Sequence, residues 1–294
     1  MSSLARGDLI RPREGEPLSP SGLLVITDLD GSLLDQATYS YEASYPAIRE
    51  LLSREIPLIL CSSKTYSEVV RLWRELNLRD PFIVENGGAI FFSERYFPLA
   101  VKGTGRKDEF EVIELGTNVS ILRAVLMETA REYRVQVKFF GTMSLDAVSV
   151  LTGLPRDDAA RAMQRAYDEP FLVGEGDCEA LFAALRAKGF IVSQGDRFFH
   201  LTGNHDKGKA AQVLVRLYRQ RGRQVFNVGL GNSANDLPLL REVDRAILIR
   251  RSDGSWDAEV TASIPGIQRT EAIGPHGWRE AMEKVLTEVG WRLR

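Results

Sequence analysis

Residues 23–34 read LLVITDLDGSLL, and the fold follows from this stretch. Leu23, Leu24, Val25 and Ile26 form a nearly continuous apolar run, the pattern of a strand buried on both faces of a parallel sheet. The run stops at two aspartates, Asp28 and Asp30, one residue apart. Side chains at i and i+2 of an extended segment point the same way. Both carboxylates can therefore face one point past the strand's carboxyl end, where open α/β sheets bind ligands. Gly31 then permits a sharp departure of the chain.

Working outward, residues 41–54 place Ala43, Ala47, Ile48, Leu51 and Leu52 at helical spacing. PLILCSS from Pro57 reads as a second buried strand ending on Ser62 and Ser63. Lys64 follows, then a helix with Val69, Leu72, Trp73 and Leu76 on one face. PFIVENGGAIFF gives a third strand, a turn at Gly87 and Gly88, and a short fourth strand. Strand and helix therefore alternate as in a doubly wound, mostly parallel α/β sheet.

The pattern shifts at Gly103–Gly105 and a charged cluster at residues 106–111, which predicts a domain boundary near 104. Residues 105–195 read as an inserted α+β domain, and the alternation resumes at RFFHLTG, DKGKAAQVLVRLYRQRG, QVFNVGLG, NDLPLLREV and RAILIR. The expected core is thus 22–104 joined to 196–294. A last helix packs back through Trp278, Met282, Val285 and Val289. Residues 1–21, with three prolines and scattered charges, are expected to be a disordered tail.

Lysine plus arginine number 38 against 40 aspartates and glutamates, a net charge of −2. That balance supplies no global field to recruit nucleic acid or a membrane surface. No apolar run approaches the about 20 residues needed to cross a bilayer. The two cysteines, Cys61 and Cys178, lack metal-ligand spacing and read as reduced structural residues in a cytoplasmic setting. The expected partner is a small molecule, with monomer and homodimer both open.

Four polar clusters fall at predicted carboxyl ends of strands or at the helix starts beside them: Asp28 with Asp30, Ser62 with Lys64, Lys207, and Asn232 to Asp236. Taken singly, the aspartates read equally well as a capped turn, whereas a helix cap is the better reading of Ser62 and a solvated first-turn lysine of Lys207. In this order on one sheet they form a site for phosphoryl transfer. A phosphomonoester brings about two negative charges to carboxylates that repel it, so a lysine and a divalent cation must offset them. Mg2+ suits carboxylate, carbonyl and water ligands; its expected ligands are Asp28, Asp30, Asn232 and Asp236. Asp28 is the expected nucleophile, forming an aspartyl phosphate, and Asp30 the acid and base. Ser62 would donate to a phosphate oxygen, and Lys207 would neutralise charge between phosphate and Asp28.

DLDGS, the strand ending in Ser62, Lys207 and GNSAND together resemble the haloacid dehalogenase superfamily of aspartate-dependent phosphatases. ILCSSKT, PFIVENGGAIF, MSLDAVSVLTGLP, RAYDEPFL, HLTGNHDKGKA and GPHGWREAM are similar to mannosyl-3-phosphoglycerate phosphatases, from about residue 22 to the end. The resemblance implies a Mg-dependent enzyme that releases phosphate to give mannosylglycerate, a compatible solute, under a mobile cap inserted between the second and third motifs. It leaves glucosyl-3-phosphoglycerate, or another phosphosugar such as sucrose phosphate, as alternatives. The family's fourth motif usually begins Gly-Asp, whereas this chain has Gly231-Asn232. An amide carbonyl can coordinate Mg2+ without the negative charge that helps hold it, so weakened metal affinity is expected. A catalytically weak binding or regulatory protein remains the alternative that Asn232 carries.

Expected substrate contacts are Gly31, Ser63 and Lys64 beside the phosphate, and Glu85 and Asn86 toward the sugar. Arg161 and Arg165, at i and i+4 of one helix, are expected near the glycerate carboxylate, although a solvated helix face paired with Asp157 and Glu169 is the better account of at least one of them. His205, near Lys207, completes the set, and His200 reads as a satisfied core histidine.

Overall fold

The computed structural model describes residues 22–97, 104–194, 197–220 and 225–290; the expected tail at 1–21 lies outside them. Strand β1 (Leu23–Thr27), helix α1 (Tyr45–Ser53), β2 (Leu58–Cys61), α2 (Tyr66–Glu75) and β3 (Phe82–Val84) lead to a 3-10 turn at Glu85–Gly87 and to β4 (Ala89–Ser93), β5 (Gly105–Lys107) and β6 (Phe110–Glu114). There follow α3 (Val119–Glu132), β7 (Val137–Phe139), α4 (Leu145–Thr152), α5 (Arg156–Ala162), β8 (Asp168–Val173), α6 (Cys178–Ala187), β9 (Ile191–Gln194) and β10 (Phe199–Thr202). The chain then returns through α7 (Lys207–Gln220), β11 (Phe226–Gly231), α8 (Leu237–Glu242), β12 (Arg245–Arg250), α9 (Ala258–Ser263), β13 (Gln268–Ile273) and α10 (His276–Glu288).

The large sheet runs β13-β12-β11-β1-β2-β3-β4-β6-β5. Its pairs from β13 to β3 are parallel, and β4, β6 and β5 extend it antiparallel. The chain leaves β1 toward β2 on one side and returns at β11 on the other. That reversal opens a crevice at the strands' carboxyl ends. Alternate residues of each apolar run serve opposite faces. Leu23, Val25, Leu58 and Leu60 pack with α1, α2 and α10, while Leu24, Ile26, Ile59 and Cys61 pack with α7. Truncating such a fully buried leucine costs about 2–5 kcal/mol. Trp278, Met282, Val285 and Val289 of the last helical segment are all buried in the first of these layers.

The second sheet is antiparallel, in order β7-β8-β10-β9. One face, through Phe139, Phe171 and Leu201, packs on α3 and α6. The boundary expected at 104 falls too early. Strands β5 and β6 bond to β4 as the edge of the large sheet, so the second unit begins after Glu114. The return expected at 196 is also early, because β10 pairs with β8 and β9 in the small sheet. Residues 156–162 form α5 alone; the helix expected to carry both Arg161 and Arg165 ends before Arg165. Strand β13 and helix α9 extend the alternation beyond RAILIR, where QRTEAI alternates only weakly and α9 spans just six residues.

Candidate active site

Each cluster reaches the crevice by a separate element. Beyond β1 the ladder continues, with the Asp28 amide donating to Leu230 O at 2.9 Å. From α10, Trp278 Nε1 donates to Thr27 Oγ1 at 2.8 Å, fixing the strand end. Gly31 has φ +70, and a Cβ there would come within 2.4 Å of Asn232 Nδ2, so the turn that presents Asp30 requires glycine. The Ser62 amide donates to Ile83 O at 3.1 Å, and Ser62 Oγ accepts from the Lys64 amide at 3.1 Å.

Lys207 is the first residue of α7 and is fully buried. Its Nζ lies 2.7 Å from Asp28 Oδ1 and 2.6 Å from Asp236 Oδ1. Burial alone would lower its pKa, but Asp236 and Asp28 outweigh it and hold the ammonium above the ordinary lysine range. Burial and the Asp28 charge push the Asp236 carboxyl up. Asp236, expected as a metal ligand, has both oxygens engaged: Oδ1 by Lys207 and Oδ2 by the amides of Asn232 and Ser233. It orients the lysine and the loop. Burial raises the Cys61 thiol to about 12, which keeps it an inert packing residue.

Asn232 Nδ2 donates to the main-chain carbonyl of Asp30 at 3.1 Å. The Asp28 carboxylate, that carbonyl and the Asn232 amide thus gather at one edge; a half-turn of the amide would exchange Nδ2 for Oδ1. This oxygen-donor set suits a hard cation such as Mg2+. Among the described residues no three carboxylate, imidazole or thiolate side chains group as a metal site, because two of these donors are a carbonyl and an amide.

Lys64, expected at the phosphate, instead has Nζ 3.0 Å from Asp30 Oδ2 and 3.7 Å from Glu68 Oε1, 4.6 Å from the Tyr39 ring centroid. Asp30 Oδ1 is buried without a hydrogen-bond partner among the described residues. Glu68 also closes a capping box with Thr65 at the start of α2, a Thr-x-x-Glu pattern visible in the sequence.

Glu85, expected at the sugar, is buried and faces the small domain's chain instead. Its carboxylate accepts the amides of Ala166, Tyr167 and Asp168 at 2.7–3.0 Å. Burial pushes it up to about 7, against the pull of Arg165 and these amides. Asn86 Nδ2 donates to Asp168 Oδ2 at 3.0 Å, and Asn235 Nδ2 lies 3.5 Å from Asn86 Oδ1. Asp168, which lies in the RAYDEPFL stretch without a role expected of it, also meets His200 Nδ1 at 2.9 Å. That contact satisfies His200. Arg161 pairs with Asp158, while the buried Arg165 donates to Ser63 O at 2.7 Å. Ser63 thus meets Arg165 through its carbonyl. His205 is buried, and its Nε2 donates to Glu85 O at 3.2 Å. Gly87, with φ +93, lies so close to the next connector that a Cβ would come within 2.1 Å of Asp206 O.

A parallel sheet with a switch-point crevice and a carboxylate–lysine–carboxylate trio in it defines a hydrolase class, and the sequence agrees. The chain belongs to the haloacid dehalogenase-like hydrolases, whose sequence model matches residues 25–259. It is similar to a glucosyl-3-phosphoglycerate/mannosyl-3-phosphoglycerate phosphatase from Methanococcoides burtonii, 38% identical over 90% of this chain and 97% of that protein. The protein of the same name from Persephonella marina is 34% identical over 91% and 98%. A mannosyl-3-phosphoglycerate phosphatase from Pyrococcus furiosus is 36% identical over 77% and 90%. With such relatives along most of its length, the chain is a phosphoric monoester hydrolase. Among solved structures, a haloalkanoate-superfamily phosphatase from Bacteroides thetaiotaomicron shares the fold, with TM-score 0.65 at 15% identity over 92% of this chain and 96% of that one.

Proposed function

We propose that the protein hydrolyses mannosyl-3-phosphoglycerate, and its glucosyl analogue, to the glycosylglycerate and phosphate in the cytoplasm. The observation that carries the chemistry is Lys207 held between Asp28 and Asp236 at the switch point. The substrate reading is supported by the relatives' names, two of which carry both sugars.

In this reading a carboxylate oxygen of Asp28 bonds to phosphorus as the phosphorus–oxygen bond to the glycerate breaks. The leaving oxygen takes the bond's electron pair and a proton from Asp30. Asp30 then takes a proton from water as that water attacks phosphorus, releasing phosphate and regenerating Asp28. Lys207 offsets the negative charge shared by Asp28 and the phosphoryl group, and Ser62 donates to a phosphoryl oxygen. Asp28, the Asp30 carbonyl and Asn232 would hold Mg2+, which when bound neutralises phosphoryl charge. The small domain acts as the cap that closes over substrate and limits water.

Phosphate release from the mannosyl and glucosyl substrates and a panel of phosphosugars, with Mg2+ present, tests the reading. Turnover of the two glycosyl phosphoglycerates above the panel is expected, with loss of at least about a thousandfold in Asp28→Asn. Native and Asp28→Asn proteins alike in releasing nothing would instead favour a binding protein.

A further inference from the structure

The turn between β2 and α2 faces two ways. On one side Arg165 Nη1 donates to Ser63 O at 2.7 Å, Thr65 Oγ1 donates to Arg161 O at 2.9 Å and Ser67 Oγ lies 2.5 Å from Gln164 Oε1. All three bonds reach the cap segment 161–165. Behind the turn, the amides of Glu85 and Asn86 donate to Lys64 O and Ser62 O at 2.9 and 3.0 Å. On the other side Lys64 reaches Asp30 Oδ2 at 3.0 Å. The opposite oxygen of Asp30, Oδ1, is buried and unpartnered among the described residues.

We propose that Lys64 is a positioning residue for Asp30: by pinning one carboxylate oxygen it fixes the orientation in which the carboxyl group meets the leaving group, and it makes this hold dependent on cap contacts with its turn. The proposal rests on the assignment of Asp30 as acid and base above. A freely turning carboxylate spends part of its time with neither oxygen aimed at the leaving group, and productive alignment is what a fixed partner supplies. Glu68 and Tyr39 confine the lysine from its other sides. The cap meets the turn that carries Lys64 at Ser63 O and at Thr65 Oγ1, and Thr65 in turn bonds Glu68 beside the lysine, so a displaced cap loosens the base of the Lys64 side chain.

The test uses the full-length protein and a series of aryl and alkyl phosphates of graded leaving-group acidity, beside mannosyl-3-phosphoglycerate. A nitrophenolate departs without a proton, whereas an alkoxide needs one. Lys64→Met is expected to lose about 100-fold in kcat on the alkyl esters and less than about threefold on the nitrophenyl ester, with KM nearly unchanged. Lys64→Arg is expected to restore at least about a tenth of the lost rate. Arg165→Met is expected to steepen the same leaving-group dependence, and Lys64→Met/Arg165→Met to add little further. Gln164→Ala, at an exposed contact, reads the seam should Arg165→Met melt early. Equal loss across the series, or no loss, in Lys64→Met would overturn the positioning role; additive losses in the double variant would overturn the link to the cap. Failure of the underlying reading has a separate signature, an Asp28→Asn protein as active as the native one.

Discussion

At the scale of single residues, Asn232 alters charge without altering shape. Its amide bonds to the Asp30 carbonyl, where an aspartate would add a negative charge beside Asp28. Asn232→Asp is therefore expected to lower the half-saturating Mg2+ concentration severalfold; titrations of phosphate release against Mg2+ check this, and equal half-saturation would sink it. His205 shows a second effect. Glu85 O only accepts, so Nε2 carries the proton and Nδ1 stays bare, buried and unpartnered among the described residues. Burial lowers its pKa from the ordinary 6.5. Below about that pH the unfolded chain binds a proton that the folded one resists, so stability falls with falling pH and rises as pH increases. Glu85 and Asp236, both pushed up, slope the other way, so the difference in melting temperature between the native and His205→Asn proteins is expected to rise from pH 5 to pH 7, and a flat difference would sink the assignment. Asp28, Asp30 and Lys207 were legible in the sequence because each ends or begins a patterned element. Asp168 and the Lys64–Asp30 pair were not, since their partners lie far away in sequence and no local pattern encodes them.

At the scale of elements, the 3-10 turn at Glu85–Gly87 binds the two sheets together. Glu85 and Asn86 both have positive φ, 47° and 56°, a conformation these residues adopt at a cost, offset here by three amide bonds to the carboxylate. Glu85→Ala leaves those buried donors unpaired and is expected to destabilise the protein by about 2 kcal/mol or more. Amide exchange at 166–168 should accelerate more than in β1 or β11; uniform acceleration would show that the turn serves the fold generally. The seam also shows why the boundaries were misplaced. Phe110 and Val112 alternate with polar residues, which specifies a half-buried strand but not which sheet it joins. Likewise the apolar face of β10, through Leu201, meets α3 and α6 rather than the core helices. Period gives the element, whereas partner choice comes from tertiary packing.

For the whole molecule, the parallel order and the crevice followed from buried runs with polar ends, while the path between sheets did not. The cap rests on residues 63–67 at the edge of the crevice. An aspartyl-phosphate mimic is expected to slow amide exchange at 161–168 and leave β1, β2 and β11 unchanged; protection spread evenly over both domains would contradict seating at that turn. The close approach of Gly87 to Asp206 reaches further. It holds the returning connector against the 3-10 turn one residue before Lys207, so the start of α7 is anchored on the large sheet's own turn. The lysine trio and the footing of the small domain are thereby separate parts. A chimera given a foreign lid would keep the lysine between its two aspartates, and would need donors for Glu85 and a new footing on Ser63 and Thr65 to regain command of the proton.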